Sequence, residues 1–137
     1  MVCIYCGGNT RVTNSRSSKK NPGIWRRRHC DNCNAIFTTS ESPDLSVSIS
    51  VIKREGSLET FSIDDLYVSI FKSLSHRREA LNDARHLTNT ITTNLLAECI
   101  NGAIKIDALK IVCLDTLNKF DKAAATYYSA YYPNKPN

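Results

Sequence analysis

Long apolar runs are missing from this chain. Nothing in its 137 residues approaches the roughly 20 consecutive apolar positions of a membrane-spanning helix, so no membrane association is expected. A cysteine at position 3 leaves no room for the apolar stretch of an export signal, and the expected location is cytoplasmic. Catalytic patterns are absent too. His76 and His86 have neither metal-ligand spacing nor a nucleophile partner, and no Walker loop or dinucleotide-binding glycine pattern occurs. An enzyme is therefore not expected. Acidic residues are scarce where basic ones are dense: residues 1–40 carry Asp31 alone against seven Lys/Arg, a net of +6. Residues 41–137 carry eleven basic and twelve acidic side chains, so the whole basic excess sits in the N-terminal piece. This asymmetry predicts one module for a polyanion and a second for something else.

Four of the six cysteines form two C-x-x-C pairs, Cys3/Cys6 and Cys30/Cys33. Each pair lets a tight turn aim two thiolates at one ion, and two such turns complete the four-sulfur tetrahedron of a structural Zn²⁺. Gly7 and Gly8 follow the first pair and Asn34 the second, residue types that tolerate the positive φ of a knuckle. Two disulfides would need an oxidising compartment, and a redox dithiol would usually need one pair beside a βαβ pattern. Zinc is the preferred reading. Four sulfurs leave no open coordination position, so the metal is expected to hold structure and perform no chemistry. Cys99 and Cys113 lack partner spacing and are expected to be buried small hydrophobes on helix faces.

Between the knuckles the pattern predicts strands at 10–15 and 24–29, joined by a polar turn over 16–23, with a third strand at 35–39. Val12, Ile24, Trp25 and Phe37 are its main large apolar candidates for a core. So small a core leaves much of the folding free energy to the metal. Arg26, Arg27 and Arg28 precede the second knuckle, and strand alternation puts Arg26 and Arg28 on one face. With Arg16 and the Lys19–Lys20 turn they are expected to form a cationic surface for nucleic acid. Charge alone does not choose DNA over RNA.

Residues 41–44, Glu-Ser-Pro-Asp, mark a junction between domains at 1–42 and 45–133. From Leu45 to Val51 apolar and hydroxyl residues alternate, which predicts a strand, paired through the 53–57 turn with a second strand at 58–61. Four helices are expected next. The first is capped by Ser62 with Ile63, Leu66, Ile70 and Leu74 as its stripe, and the second spans 84–100 with Gly102 just past its end. Asp107 is read as the cap of the third and Asp121 as the cap of the fourth, which carries Tyr127, Tyr128, Tyr131 and Tyr132. The fold class is α+β: a small ribbon, then a hairpin with a four-helix bundle.

The runs C-I-Y-C-G-G-N-T-R-V-T-N-S-R, I-W-R-R-R-H-C-D-N-C and F-T-T-S-E resemble the N-terminal zinc ribbon of the NrdR family, bacterial repressors of ribonucleotide reductase operons. The second half, from V-I-K-R-E-G-S-L-E-T-F to F-D-K-A-A-A-T-Y-Y-S-A-Y-Y, resembles that family's ATP-cone. The resemblance implies a zinc-dependent ribbon for double-stranded promoter DNA and a cone that binds ATP or dATP and sets a homo-oligomeric state. By position, Asn14, Ser15, Arg16, Arg26, Arg27 and Arg28 match DNA-facing segments. Val51, Lys53, Arg54 and Glu59 match the nucleotide-contacting start of the cone. The chain departs from the family pattern at Trp25 and Ile36, where Arg is usual, and at Asp65, where a phosphate-binding Lys is usual. A carboxylate at that place opposes a triphosphate, so a cone that serves only for oligomerisation or partner docking is the alternative.

Overall fold

The computed structural model describes residues 1–19 and 22–133. The chain divides into two compact units, Met1–Asp44 and Leu45–Asn137. In the first unit, β1 (Thr10–Ser17), β2 (Ile24–Cys30) and β3 (Ile36–Glu41) form an antiparallel sheet in chain order. The β1–β2 turn includes Lys20 and Asn21, which lie outside the described residues. A register shift between Val12 and Asn14 leaves Thr13 as an extra residue on β1. The core is smaller than the sequence suggests: Cys3, Cys30 and Phe37 are buried, with Ala35 packed against them. Val12 and Trp25 stand exposed instead. With so little apolar area removed from water, hydrophobic burial cannot hold this sheet by itself.

The second unit begins with a difference. Leu45–Ser48 form a helical turn, α1, in place of the expected strand. The Ile49 amide donates to the Leu45 carbonyl at 3.0 Å. Leu45 and Ile49 thereby turn inward at i, i+4 spacing while Val47 faces water. A strand would have sent all three to one side. The sheet starts only at β4 (Ser50–Ile52), which pairs antiparallel with β5 (Leu58–Thr60). The helices follow: α2 (Ile63–Ser73), α3 (Ala80–Glu98), α4 (Ile106–Phe120) and α5 (Lys122–Tyr131).

A strand that the sequence reading placed nowhere, β6 (Ala103–Lys105), pairs parallel with β4 and makes the sheet three-stranded, in the order β5-β4-β6. It is introduced by Asn101 and Gly102, both at positive φ, which reverse the chain so that Ile100 and Ala103 face each other in an antiparallel bridge. Ser62 caps α2 by accepting from the Asp65 amide, and Asp121 caps α5 by accepting from the amides of Ala123 and Ala124. Asp107 does not cap α4. Its carboxylate is engaged by Arg54, with Nη2 donating to Oδ1 at 2.8 Å and Nε donating at 3.1 Å. Ile70, Leu74, Ile91, Leu95, Cys113, Leu117 and Tyr128 fill the centre of the bundle beneath Val51, Phe61 and Ile104. Cys113 is fully buried, whereas Cys99 is only half-buried at the end of α3. Among the described residues no helix is long and apolar enough to cross a membrane.

Candidate metal centre, ribbon surface and cone cavity

Cys3, Cys6, Cys30 and Cys33 come together from two knuckles, with all four sulfurs within 4.8 Å of one another. The Cys3–Cys33 and Cys6–Cys30 sulfurs stand 3.7 and 3.5 Å apart. A tetrahedron with Zn–S bonds of about 2.3 Å requires sulfur separations of about 3.8 Å, so the cluster already has the dimensions of a four-thiolate site. The knuckles supply donors for the sulfur charge. The Tyr5 amide donates to Cys3 Sγ, that of Gly8 to Cys6 Sγ, and those of Asn32 and Cys33 to Cys30 Sγ, each at 3.4 Å.

The Asn32 side-chain amide donates to Cys6 Sγ at 3.6 Å, and with the Gly8 amide it lowers that thiol to about 6. Cys33, drawn down by the Ala35 amide but pushed further the other way by the sulfurs around it, rises to about 12. Four negative charges cannot share this space without a cation, which is what a divalent ion provides. Gly7 takes positive φ at the first knuckle, and Asn34 does so at the second. At Gly8 a methyl group would meet Asn32 Cβ at 2.9 Å, so the two knuckles pack as one body only with glycine there.

The cross-strand register sorts the basic residues of the sheet. Ser15 lies opposite Arg26, and Arg26 opposite Thr39; Val12 lies opposite Arg28, and Arg28 opposite Phe37. Directly opposed side chains share a face. Arg26 and Arg28 therefore occupy one face together, on the side of the buried Phe37. Both are tied there: Arg26 forms an ion pair with Glu41, and Arg28 Nε donates to Thr39 Oγ1 at 3.2 Å. Arg16 corrects the expected grouping. It lies opposite Trp25, and Asn14 opposite Arg27, so these four occupy the other face. All four are exposed.

In the cone, a cavity of about 480 Å³ opens among Val51, Glu59, Phe61, Asp65, Lys72, Lys110, Tyr128 and Tyr132, with others. Its charged lining is two carboxylates, Glu59 and Asp65, and two ammonium groups, Lys72 and Lys110. Val51 and Glu59 thus line it. Lys53 approaches it through Glu59, with its Nζ 3.0 Å from the Glu59 carboxylate, which raises the lysine pKa. Arg54 is not part of the lining; it is held by Asp107, whose pKa it lowers. Lys72, Lys110 and the aromatic groups of Phe61 and Tyr132 were missed as site residues, because only the fold carries α2, α4 and α5 to the hairpin. Burial pushes the Tyr128 phenol up, so it lines the cavity as a neutral group.

A four-thiolate ribbon with an open basic face, followed by a hairpin and helices around a mixed-charge cavity, defines a class of two-module proteins that join a metal-binding ribbon to an α+β domain. Residues 1–41 match the family described as transcriptional repressor NrdR-like, N-terminal domain, and residues 49–134 match the ATP cone domain. The chain is similar over its full length to a transcriptional repressor NrdR of Ehrlichia ruminantium, with 35% identity spanning 89% of that protein. It is 33% identical over 96% of its length to one from Pseudarthrobacter chlorophenolicus, and 31% identical over 96% to one from Bacillus licheniformis, spanning 77% and 86% of those proteins. The chain belongs to the NrdR family of transcriptional repressors. It is a regulator with a zinc ribbon and an ATP-cone, not an enzyme.

Proposed function

We propose that the protein is a zinc-dependent repressor that binds promoter DNA of ribonucleotide reductase operons in the bacterial cytoplasm and responds to ATP or dATP. The observation that carries this reading is the pairing, in one chain, of a four-sulfur ribbon holding the whole basic excess with a cone cavity large enough for a nucleoside. Zn²⁺ on Cys3, Cys6, Cys30 and Cys33 makes the ribbon rigid. The sheet between the two knuckles, where the basic side chains cluster, supplies its polar and cationic contacts to DNA. In the cone, Val51, Phe61 and Tyr132 offer apolar area for a base, while Lys72 and Lys110, with Lys53 beside Glu59 at the rim, offer cations for phosphates. Homo-oligomer formation through the cone would place several ribbons on spaced sites and raise avidity without improving any single contact.

A second reading has its own observation. Asp65 puts a carboxylate in the cavity at the first turn of α2, beside the Ser62 cap, where the helix N-terminus would otherwise favour an anion. That favours a cone kept for oligomerisation or partner docking without nucleotide control. The deciding experiment is titration of a duplex from upstream of the host's reductase genes with zinc-loaded protein at fixed salt, without nucleotide, with ATP and with dATP. The repressor reading expects affinity or complex size to differ among the three conditions. Equal binding in all three transfers the cone to the second reading, and no binding in any removes the DNA role.

A further inference from the structure

We infer that the ribbon meets duplex DNA with the Asn14–Arg16–Trp25–Arg27 face of its sheet and not with the face that carries Arg26 and Arg28. The inference rests on the DNA-binding reading above and narrows it to one surface. Charge availability is the first argument. Arg26 is neutralised by Glu41, and Arg28 is occupied by Thr39 on the side where Phe37 closes the small core. Among the described residues no carboxylate pairs with Arg16 or Arg27. A phosphate reaching Arg26 would have to displace an existing partner, whereas one reaching Arg27 displaces only water.

Exposure gives the second argument. Along β2 the pattern alternates strictly from Trp25 to Arg28, with Trp25 and Arg27 open and Arg26 and Arg28 partly covered. On β3 the same open face continues through Ile36, Thr38 and Ser40. It is therefore continuous across three strands and carries Arg16 and Arg27, neither paired with a carboxylate among the described residues, Arg11 paired with Asp31, one side-chain amide and two exposed apolar side chains.

The third argument is Trp25 itself. A tryptophan 37% exposed on a polar sheet surface needs a reason, and here the Arg16 guanidinium lies 6.0 Å from its ring centroid. That contact sits at the outer limit of a cation–π interaction, so it orients Arg16 without consuming its hydrogen-bonding edge. Arg16 and Arg27 sit on neighbouring strands, two positions out of direct register, which puts them roughly 7–8 Å apart with Trp25 and Asn14 at the other corners of the square. Two cations spaced this way, with a flat apolar ring and an amide between, suit adjacent phosphates, the sugar wall and a base edge of one groove. Trp25 occupies a place where a further arginine would give one more phosphate contact. Apolar area then substitutes for charge, and binding becomes less dependent on salt than a fully basic face would make it.

Trp25 is the single tryptophan of the chain, so its fluorescence reports on this face alone. The test titrates the full-length, zinc-loaded protein with sheared genomic duplex DNA at several salt concentrations and follows both affinity and tryptophan emission. Arg16→Ala and Arg27→Ala are expected each to weaken binding about tenfold and to lower the salt slope by about 1, with Trp25 emission of the unaltered protein changing on binding. Arg26→Ala and Arg28→Ala are expected to stay within about twofold, with the slope unchanged. Arg27→Lys, which keeps the charge, is expected to retain the slope, and zinc content checks that each variant keeps its ribbon. Unchanged emission together with affinity loss in Arg26→Ala and Arg28→Ala assigns DNA to the other face and overturns the inference while leaving the DNA reading in place. If the unaltered protein fails to bind duplex while binding folded RNA, both fall.

Discussion

Asp121 accepts from the amides of Ala123 and Ala124, and its Oδ2 also stands 3.0 Å from His76 Nε2 and 3.0 Å from Arg77 Nη1. Arg77 extends the network to Asp83, with Nε donating at 2.8 Å, and lies 4.6 Å from the Phe120 ring centroid. These contacts, the His76 hydrogen bond foremost, pull the Asp121 carboxyl from its ordinary 3.8 down to about 2. A depressed carboxyl pKa stabilises the fold above the unfolded value, and the contribution fades as pH falls from 3.8 through about 2. Asp121→Ala is therefore expected to cost about 1–2 kcal/mol at neutral pH through the lost cap and ion pairs. Urea unfolding of the two proteins at pH 7 and near pH 2 checks this, because the difference should largely vanish at the acid end. A difference that persists unchanged in acid would mean that packing, not charge, is lost.

The same scale explains what could be read without coordinates. The gathering of Cys3, Cys6, Cys30 and Cys33 was legible because ligand spacing is a local property of the knuckle. Asp121 was legible as a cap, but its partners His76 and Arg77 were not, since they lie far away in sequence and only helix packing brings them near. Asp107 failed as a cap because α4 begins one residue before it, at Ile106, and its carboxylate instead pairs with Arg54 across the fold.

At the scale of elements, local pattern and tertiary demand diverge in two places. Residues 45–51 alternate as a strand does, yet a helical turn at Leu45–Ser48 buries Leu45 and Ile49 better than a strand could at the edge of the bundle. Strand β6 had a signal that was read as a helix stop alone. Asn-Gly at positions 101–102 is also the signature of a two-residue reversal, and the three residues after it enter the sheet. Gly102 sits at φ +72 with its Cα so close to the Ser48 carbonyl that a Cβ would lie 3.1 Å from that oxygen. Gly102→Ala is expected to destabilise the cone by more than about 1 kcal/mol, from backbone strain and the crowded carbonyl together. Thermal unfolding followed by helical circular dichroism measures it, and a neutral result would show that the turn can re-form without its left-handed residue. The ribbon faces were only half legible for a related reason. Alternation along β2 is local, but the side on which Arg16 falls depends on pairing with β2 across a strand carrying the extra Thr13.

For the whole molecule, the division between Asp44 and Leu45 separates a unit whose core is three side chains from one with a large apolar cluster. Metal removal should therefore act on only one of the two units. Chelation at neutral pH is expected to unfold the ribbon and leave the helical signal of the cone nearly intact, and Cys30→Ser is expected to mimic it. Circular dichroism together with Trp25 emission separates the two events, since the tryptophan belongs to the ribbon. Simultaneous loss of both signals would mean that the cone depends on the ribbon for its stability.

The Asp121 network joins the end of α2, the start of α3, the end of α4 and the start of α5. The cavity opens toward the other end, at the starts of α2 and α4 and the end of α5, although along α2 its lining reaches Lys72. The bundle is thus a pair of tongs riveted at one tip. With that end pinned, a change in what the cavity holds is expected to move the hairpin end of the bundle more than the knotted end.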